Sequence, residues 1–381
     1  MEAIEPGIYP DMPAAEYHAA PAASKSDLDK IARSPAHYRA YKENPPEQTK
    51  AMALGTAFHT LVLEPEKFSG DYCLALRRQD VPEAIEDRDQ LVAMVQELNA
   101  SRLPKLPASG SKPDLIARIE AEIDAGRFSV CVPDGVDGLR ASELKALIAA
   151  ENERRPGHLP TGGSRHELAD LLRQNGVDVV LWSDVREQWE AANGHRTVLT
   201  PDEWDMVHRM RDAVMAHPAA AALLSAGKAE QSVFWRDDAT AEFDPQTGEV
   251  REGLLCKCRP DWLRPDNIIV DLKRAIDASP EGFQRRAYYQ YRYHVQAAHY
   301  SNGVEAATGR PVPAFVFIAC EPEPPYAVGV YQVSAELMAE GRQAAETDLA
   351  TLAACQRIGK WPGYPQQIVE ITVPGRASKT L

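Results

Sequence analysis

The sequence predicts an α/β protein: a central mixed sheet flanked by helices, with a small all-α insert. Three observations carry that reading. After residue 200, short β-rich runs alternate with longer segments of helical period. The stretch from 71 to 199 is instead charged, loop-rich and internally repeated. Finally, "NIIVDLKR" ends an apolar run with Asp271 and Lys273, two residues apart and so on one face of a strand.

The first 20 residues, rich in Pro and Ala, read as an extended arm. "SKSDLDKIARSPAHYRAYKEN" reads as two short helices, the first capped by Ser26 and the second restarted at Ser34-Pro35. "AMALGTAFHTLVLEP" has apolar residues at 54, 57, 58, 61 and 62, a helical period that Pro65 stops. In the insert, "LPASGSKPDLIARI" (106–119) lies over "LPTGGSRHELADLL" (159–172) without a gap at an offset of 53. The same offset places Leu91 on Leu144 and Val95 on Ile148, so the preceding helices match too. Each unit, about 88–125 and 140–176, is helix, extended loop, helix, with Ser111 or Ser164 placed to cap the second helix.

From "LTPDEWDMVHRMRDAVMAHPAAAALLSAG" two helices run to about Gly227. Strands follow at "QSVFWR", "LLCKCRPDWL" and "NIIVDLKR", then one long helix over about 280–308. Strands at "AFVFIAC" and "AVGVYQV", a helix over 334–357 and a last strand near "QIVEITV" complete the order.

A hydrophobic content of 44% and a charged content of 26% over 381 residues are those of a globular chain with one large domain or two ordinary ones. The net charge of −14 argues against a protein that simply coats nucleic acid, but not against a nuclease with a local basic strip. Residues 271–300 hold five Lys or Arg against three Asp or Glu. Six cysteines without a disulfide framework and no recognisable signal segment fit a reducing cytoplasm. No apolar run suits a membrane span. Cys256 and Cys258 share a strand face and read as buried thiols.

Two carboxylates, Asp261 and Asp271, converging on one spot suit a hard divalent cation. A neighbouring Lys273 can orient water or neutralise charge on a phosphate oxygen. The alternative for an isolated Asp-x-Lys is a surface salt bridge. A histidine inside an apolar helix, such as His59, is either a satisfied core residue or a ligand. Gln296 and Tyr300 lie four apart on one helix face.

Taken in order, "GTAFH", "AEQSVFW", "KCRPDW", "DLK" and "QAAHY" resemble the PD-(D/E)XK nuclease domain of RecE-type phage exonucleases (exonuclease eight), relatives of the RecB-type nucleases. The resemblance covers about 1–70 and 200–373. It implies a restriction-endonuclease-like core in 1–70 and 200–381, with 71–199 inserted. It further implies His59, Asp261 and Asp271 as metal ligands and Lys273 as catalytic lysine. Gln296 and Tyr300 would lie against DNA and the site, and Glu230 would be a recurrent acid in a second shell or at a second metal. Arg274 stands where threonine is usual, and either contacts a phosphate or faces solvent. Arg285, Arg286 and Arg292 are expected either along the DNA path or on an ordinary solvated face, while most of Tyr288, Tyr289, Tyr291 and Tyr293 are expected to pack.

The implied cofactor is Mg²⁺, with Mn²⁺ as substitute. An iron–sulfur cluster is not expected, since only Cys355 lies in the last 60 residues. The repeats resemble SAP-like or helix–extended-loop–helix motifs, small hairpins often used on DNA, and otherwise serve as protein-docking hairpins or a spacer; on DNA, Lys112 and Arg165 would hold phosphates at helix N-termini. The implied activity is exonucleolytic degradation of linear duplex ends, with a single-strand annealing protein and further copies of the chain as partners. Alternatives are a structure-specific endonuclease and a catalytically silent DNA-binding scaffold.

Overall fold

The computed structural model describes residues 4–132, 135–243, 248 and 250–369. The chain forms two compact units, Met1–Ala75 with Arg196–Leu381, and Leu76–His195.

The first unit opens with β1 (Gly7–Tyr9) and α1 (Ala14–Ala19), so the expected extended arm is in fact structured. Tertiary contacts hold it: Tyr9 and Tyr17 pack edge-on against the buried Phe234. The buried Lys257 ammonium caps the end of α1, donating to the carbonyls of Tyr17 (2.7 Å), His18 (3.1 Å) and Ala20 (2.8 Å). Helix α2 (Lys25–Arg33) is capped by Ser24 rather than Ser26, because Asp27 then falls at the third helical position and closes a capping box. Ser34 and Pro35 start α3 (Pro35–Glu43), and α4 (Lys50–Leu63) stops where Pro65 begins α5 (Pro65–Asp71). Strand β2 (Tyr72–Leu74) closes this segment.

The second unit carries α6 (Arg88–Ala100), α7 (Lys112–Asp124), α8 (Ala141–Arg154), α9 (Arg165–Gln174) and α10 (Trp182–Asn193). Each repeat has its two helices and its capping serine in place. The helices do not pair within a repeat, however. Leu91 and Val95 of α6 pack with Leu168 and Leu172 of α9, whereas Leu115 and Ile119 of α7 pack with Leu144 and Ile148 of α8. Polar contacts follow the same exchange. The Asn99 amide pairs both ways with the Leu159 backbone, and Asn152, its counterpart at the offset of 53, does so with Leu106. Arg102 donates to Gly157 O and Asn175 Oδ1, and Arg155 to Pro104 O and Glu122 Oε2, again at matching positions. Each small core therefore needs a helix from both repeats, so neither repeat folds as a unit of its own.

Back in the first unit, β3 (Thr197–Leu199) pairs in parallel with β2, and α11 (Pro201–Ala216) and α12 (Pro218–Leu224) follow. Then come β4 (Lys228–Ala229), β5 (Ser232–Asp237), β6 (Glu242–Phe243), β7 (Val250–Arg251), β8 (Leu254–Cys258), β9 (Trp262–Leu263) and β10 (Ile269–Arg274). "LLCKCRPDWL" is two strands: Pro260 interrupts the ladder, and β8 and β9 go to different sheets. The expected helix over 280–308 is also two, α13 (Pro280–Tyr289) and α14 (Tyr293–Thr308). They part at Arg292, which takes a left-handed conformation (φ 49°) and binds Leu28 O, Asp29 and Asp348. Strands β11 (Phe315–Cys320) and β12 (Val328–Gln332) and helix α15 (Ala335–Ile358) complete the unit. The last expected strand lies from residue 370 onward outside the described residues, and 367–369 are irregular.

The central sheet has the order β12-β11-β10-β9-β4, with β10 and β11 parallel and the other pairs antiparallel. This is the central mixed sheet that the sequence predicts for an α/β core. Its two faces are divided by strand alternation. Ile269, Phe315 and Phe317 pack toward α2, α14 and α15, while Val270, Leu272 and Ile318 pack toward α4 and α11. A three-stranded sheet, β1-β5-β8, stands beside it. No described helix is long and apolar enough to cross a membrane.

Candidate active site

Asp271 and Lys273 occupy the face of β10 that looks toward α14, as their two-residue spacing requires. Asp271 is wholly buried. Its Oδ1 meets the Lys273 ammonium at 2.5 Å, and its Oδ2 accepts from Gln296 Nε2 at 2.6 Å. Gln296 comes from the first turn of α14, so the Arg292 break sets where this amide enters the site. Tyr300, one turn on, is packed against Phe315 instead.

Asp261 lies in the turn between β8 and β9. The backbone N–H of Leu272 donates to its Oδ2 at 2.7 Å, which locks the carboxylate beside β10. His59 approaches from α4, with Nδ1 3.4 Å from the same oxygen. Glu230 arrives next to Asp261 because β4 pairs with β9 and the Glu230 N–H donates to Asp261 O. It sits in the turn between β4 and β5. Its φ of 49° is left-handed, a conformation that costs a non-glycine residue roughly 1–3 kcal/mol. Arg259 holds it there, with Nε 3.1 Å from Glu230 Oε2 and donating to Glu230 O.

Among the described residues, His59, Glu230 and Asp261 offer ligand atoms within 4.8 Å of one another. The electrostatics agree with a site built for a cation. Burial, with the Asp261 charge, pushes Glu230 up to about 8; burial pushes Asp261 up to about 6 against the pull of Lys273. Burial and the Asp261 charge likewise raise Asp271 to about 6. His59 is lowered to about 4 by burial and by Lys273, so it presents a neutral imidazole. Burial opposes the Lys273 charge, yet Asp271 and its neighbours hold its proton above the ordinary lysine range. Crowded acids with raised pKa values and one neutral imidazole are a donor set that Mg²⁺ or Mn²⁺ would relieve.

Several side chains here carry no sequence signal. Arg259 reads as an ordinary strand cation until its contact with Glu230 is seen. Tyr293 lies under the Lys273 ammonium at 4.7 Å, and Lys25, on α2, stands 5.8 Å from the same ring. One tyrosine among four neighbours could not be singled out by period.

The other expected residues are spread more widely. Arg274 is half-buried at the end of β10, alternating away from Lys273, and its Nε has no hydrogen bond. Arg285 and Arg286 lie on α13. Arg292 is spent on Asp29 and Asp348 and ties α14 to its neighbours. In the insert, Lys112 donates to Asp137 O and Arg165 to Glu86 O. The helix N-termini there are already served by capping boxes, with Asp114 and Glu167 carboxylates in the place an anion would take. Residues 76–195 hold fifteen Lys or Arg against twenty-one Asp or Glu. Both features count against the phosphate sites expected at Lys112 and Arg165.

Residues 184–371 match the model of a family described as "PDDEXK-like domain of unknown function (DUF3799)". The match includes Glu230, Asp261, Asp271, Lys273, Gln296 and Tyr300, and leaves out His59. No curated protein matches the chain. A crystallised chain from Eubacterium rectale described as "Putative exonuclease" is 13% identical, with a TM-score of 0.34 over 59% of this chain and 81% of that one. Over roughly its second half, then, the chain is similar to PDDEXK-like domains, and the mixed α/β core described above fits that likeness.

Proposed function

We propose that the chain is a metal-dependent deoxyribonuclease of RecE type that degrades linear duplex DNA from its ends. The observation that carries this is the convergence of the buried Asp271, gripped by Lys273 and Gln296, with the cluster of His59, Glu230 and Asp261. A silent scaffold has no use for buried acids that repel one another.

When bound, a divalent cation such as Mg²⁺ or Mn²⁺ supplies an activated water and support for the leaving oxygen. His59, Glu230 and Asp261 would hold it, with Asp271 alongside. The imidazole in that set favours Mn²⁺ for affinity. Lys273 keeps its proton and serves as a fixed positive charge toward a phosphate oxygen, not as a base. Gln296 fixes the far oxygen of Asp271, and the Leu272 N–H fixes Asp261. Neither has to reorganise as the reaction proceeds.

The test is incubation of linear and covalently closed circular duplex with the protein and Mg²⁺. Loss of the linear form alone supports an exonuclease, loss of both forms indicates an endonuclease, and loss of neither refutes the proposal. A recombination role with a single-strand annealing partner and further copies of the chain belongs to the same proposal. Co-purification and light scattering test that part.

A further inference from the structure

Two hollows flank α13. One is a cavity of about 740 Å³ whose walls include Phe283, Tyr288, Tyr293, Phe317 and Tyr331. The rings are ordered: Phe283 stacks on Tyr331 at 4.9 Å, Tyr293 on Phe317 at 5.2 Å, and Tyr288 on His294 at 4.9 Å. The other is a notch of about 410 Å³ lined by Arg285, Arg286 and Asp277, among others. The hollows share Arg285 and Tyr289, and Tyr289 is 81% exposed.

Their chemistry is complementary. The cavity is aromatic, and its charges are mostly acidic, Glu281, Glu336 and Glu340. It suits a flat, uncharged ring and repels phosphate. The notch has two guanidinium groups. Among the described residues, the Arg285 guanidinium has no hydrogen bond or ion pair, and the Arg286 guanidinium meets only Asp277, at 3.7 Å. A neutral planar ring in one hollow and an anion in the next is the outline of a nucleotide. The cavity also shares a wall with the reacting centre, since Tyr293 and Phe317 lie 4.7 and 5.9 Å from the Lys273 ammonium.

We propose that α13 carries a subsite for an unpaired nucleotide, with its base in the aromatic cavity and its phosphate in the Arg285–Arg286 notch. The subsite rests on the nuclease reading for its purpose, guiding a separated strand past Lys273. Its existence is tested without that reading. Base stacking on aromatic side chains is sequence-tolerant, so the subsite takes any base.

The experiment is fluorescence anisotropy of a labelled oligo-dT in EDTA, where no metal-dependent cleavage can occur. The wild type binds it, Tyr289→Ala and Arg285→Gln each weaken binding about tenfold, and Tyr289→Phe retains it because stacking, not the hydroxyl, is what matters. Competition by dTMP separates the two sources of this chemistry. Displacement at concentrations near the oligonucleotide's own Kd marks a free-nucleotide site, and the absence of such displacement marks a strand. No binding by the wild type, or equal affinity in Tyr289→Ala and Arg285→Gln, overturns the subsite. Failure of the nuclease reading would show separately, as linear duplex left intact by wild-type protein in Mg²⁺.

Discussion

Replacing Gln296 by leucine removes the amide that donates to Asp271 Oδ2 at 2.6 Å, inside a site where Asp271 has no exposure. A buried acceptor left without its donor costs about 1–3 kcal/mol, toward the upper end when it is charged. That cost falls on ionised Asp271 alone, so it depends on pH. Asp271 already has a folded-state pKa of about 6, above its ordinary range, because of burial and Asp261. A carboxyl raised on folding subtracts stability as pH climbs from the unfolded pKa, roughly 4, to the folded one. The substitution lifts the folded value further. A penalty of about 2 kcal/mol corresponds to roughly one and a half pKa units, which carries the loss up toward pH 7–8. Urea denaturation in EDTA should therefore give a small difference between wild type and Gln296→Leu at pH 5. By pH 8 the difference should have grown by about 2 kcal/mol. A difference of equal size at both pH values would mean that Gln296 acts through packing only, and the electrostatic reasoning would be refuted.

Asp261→Ala and Lys273→Ala should each abolish cleavage while leaving a folded protein, measured by linear-DNA digestion beside circular dichroism; near-normal turnover in either would displace the proposed centre. Arg259→Gln frees Glu230 from its clamp and should weaken Mn²⁺ binding about tenfold by calorimetry, in the range of outer-sphere substitutions at metal sites. Unchanged Mn²⁺ affinity would leave Glu230 outside the metal's reach. Removing residues 76–195 should leave a folded first unit with near-normal cleavage at saturating DNA. Because β2 and β3 pair in parallel, Ala75 and Arg196 lie about 14 Å apart, so eight Gly/Ser residues suffice to join them. Loss of cleavage in a folded product would make the insert part of the active site. The cut has to extend past Val179 and Leu181, which belong to the insert's own core.

What could be read from the sequence was local. The strand ending in Asp271 and Lys273, the Ser34-Pro35 restart and the stop at Pro65 each follow from two or three adjacent residues. What could not be read depends on distant partners. The break before α14 has neither Gly nor Pro at its centre; Asp29 and Asp348 hold Arg292 in its left-handed turn, and neither is near in sequence. Glu230 and Asp261 meet because two-residue strands pair, and strands that short have no period to detect. The cross-pairing of the repeats is hidden for a different reason. Equivalent helices present equivalent apolar faces, so pairing within a repeat and between repeats satisfies the pattern equally well.

That cross-pairing gives the insert the logic of a symmetric homodimer written into a single chain. Each repeat offers the other the same patch that it receives, the reciprocity of an isologous interface. A substitution in one half has a counterpart contact in the other: Asn99 answers to Asn152, and Arg102 to Arg155. Losing a single repeat would expose half of both cores at once, whereas two separate copies of one repeat would still hold every complementary surface.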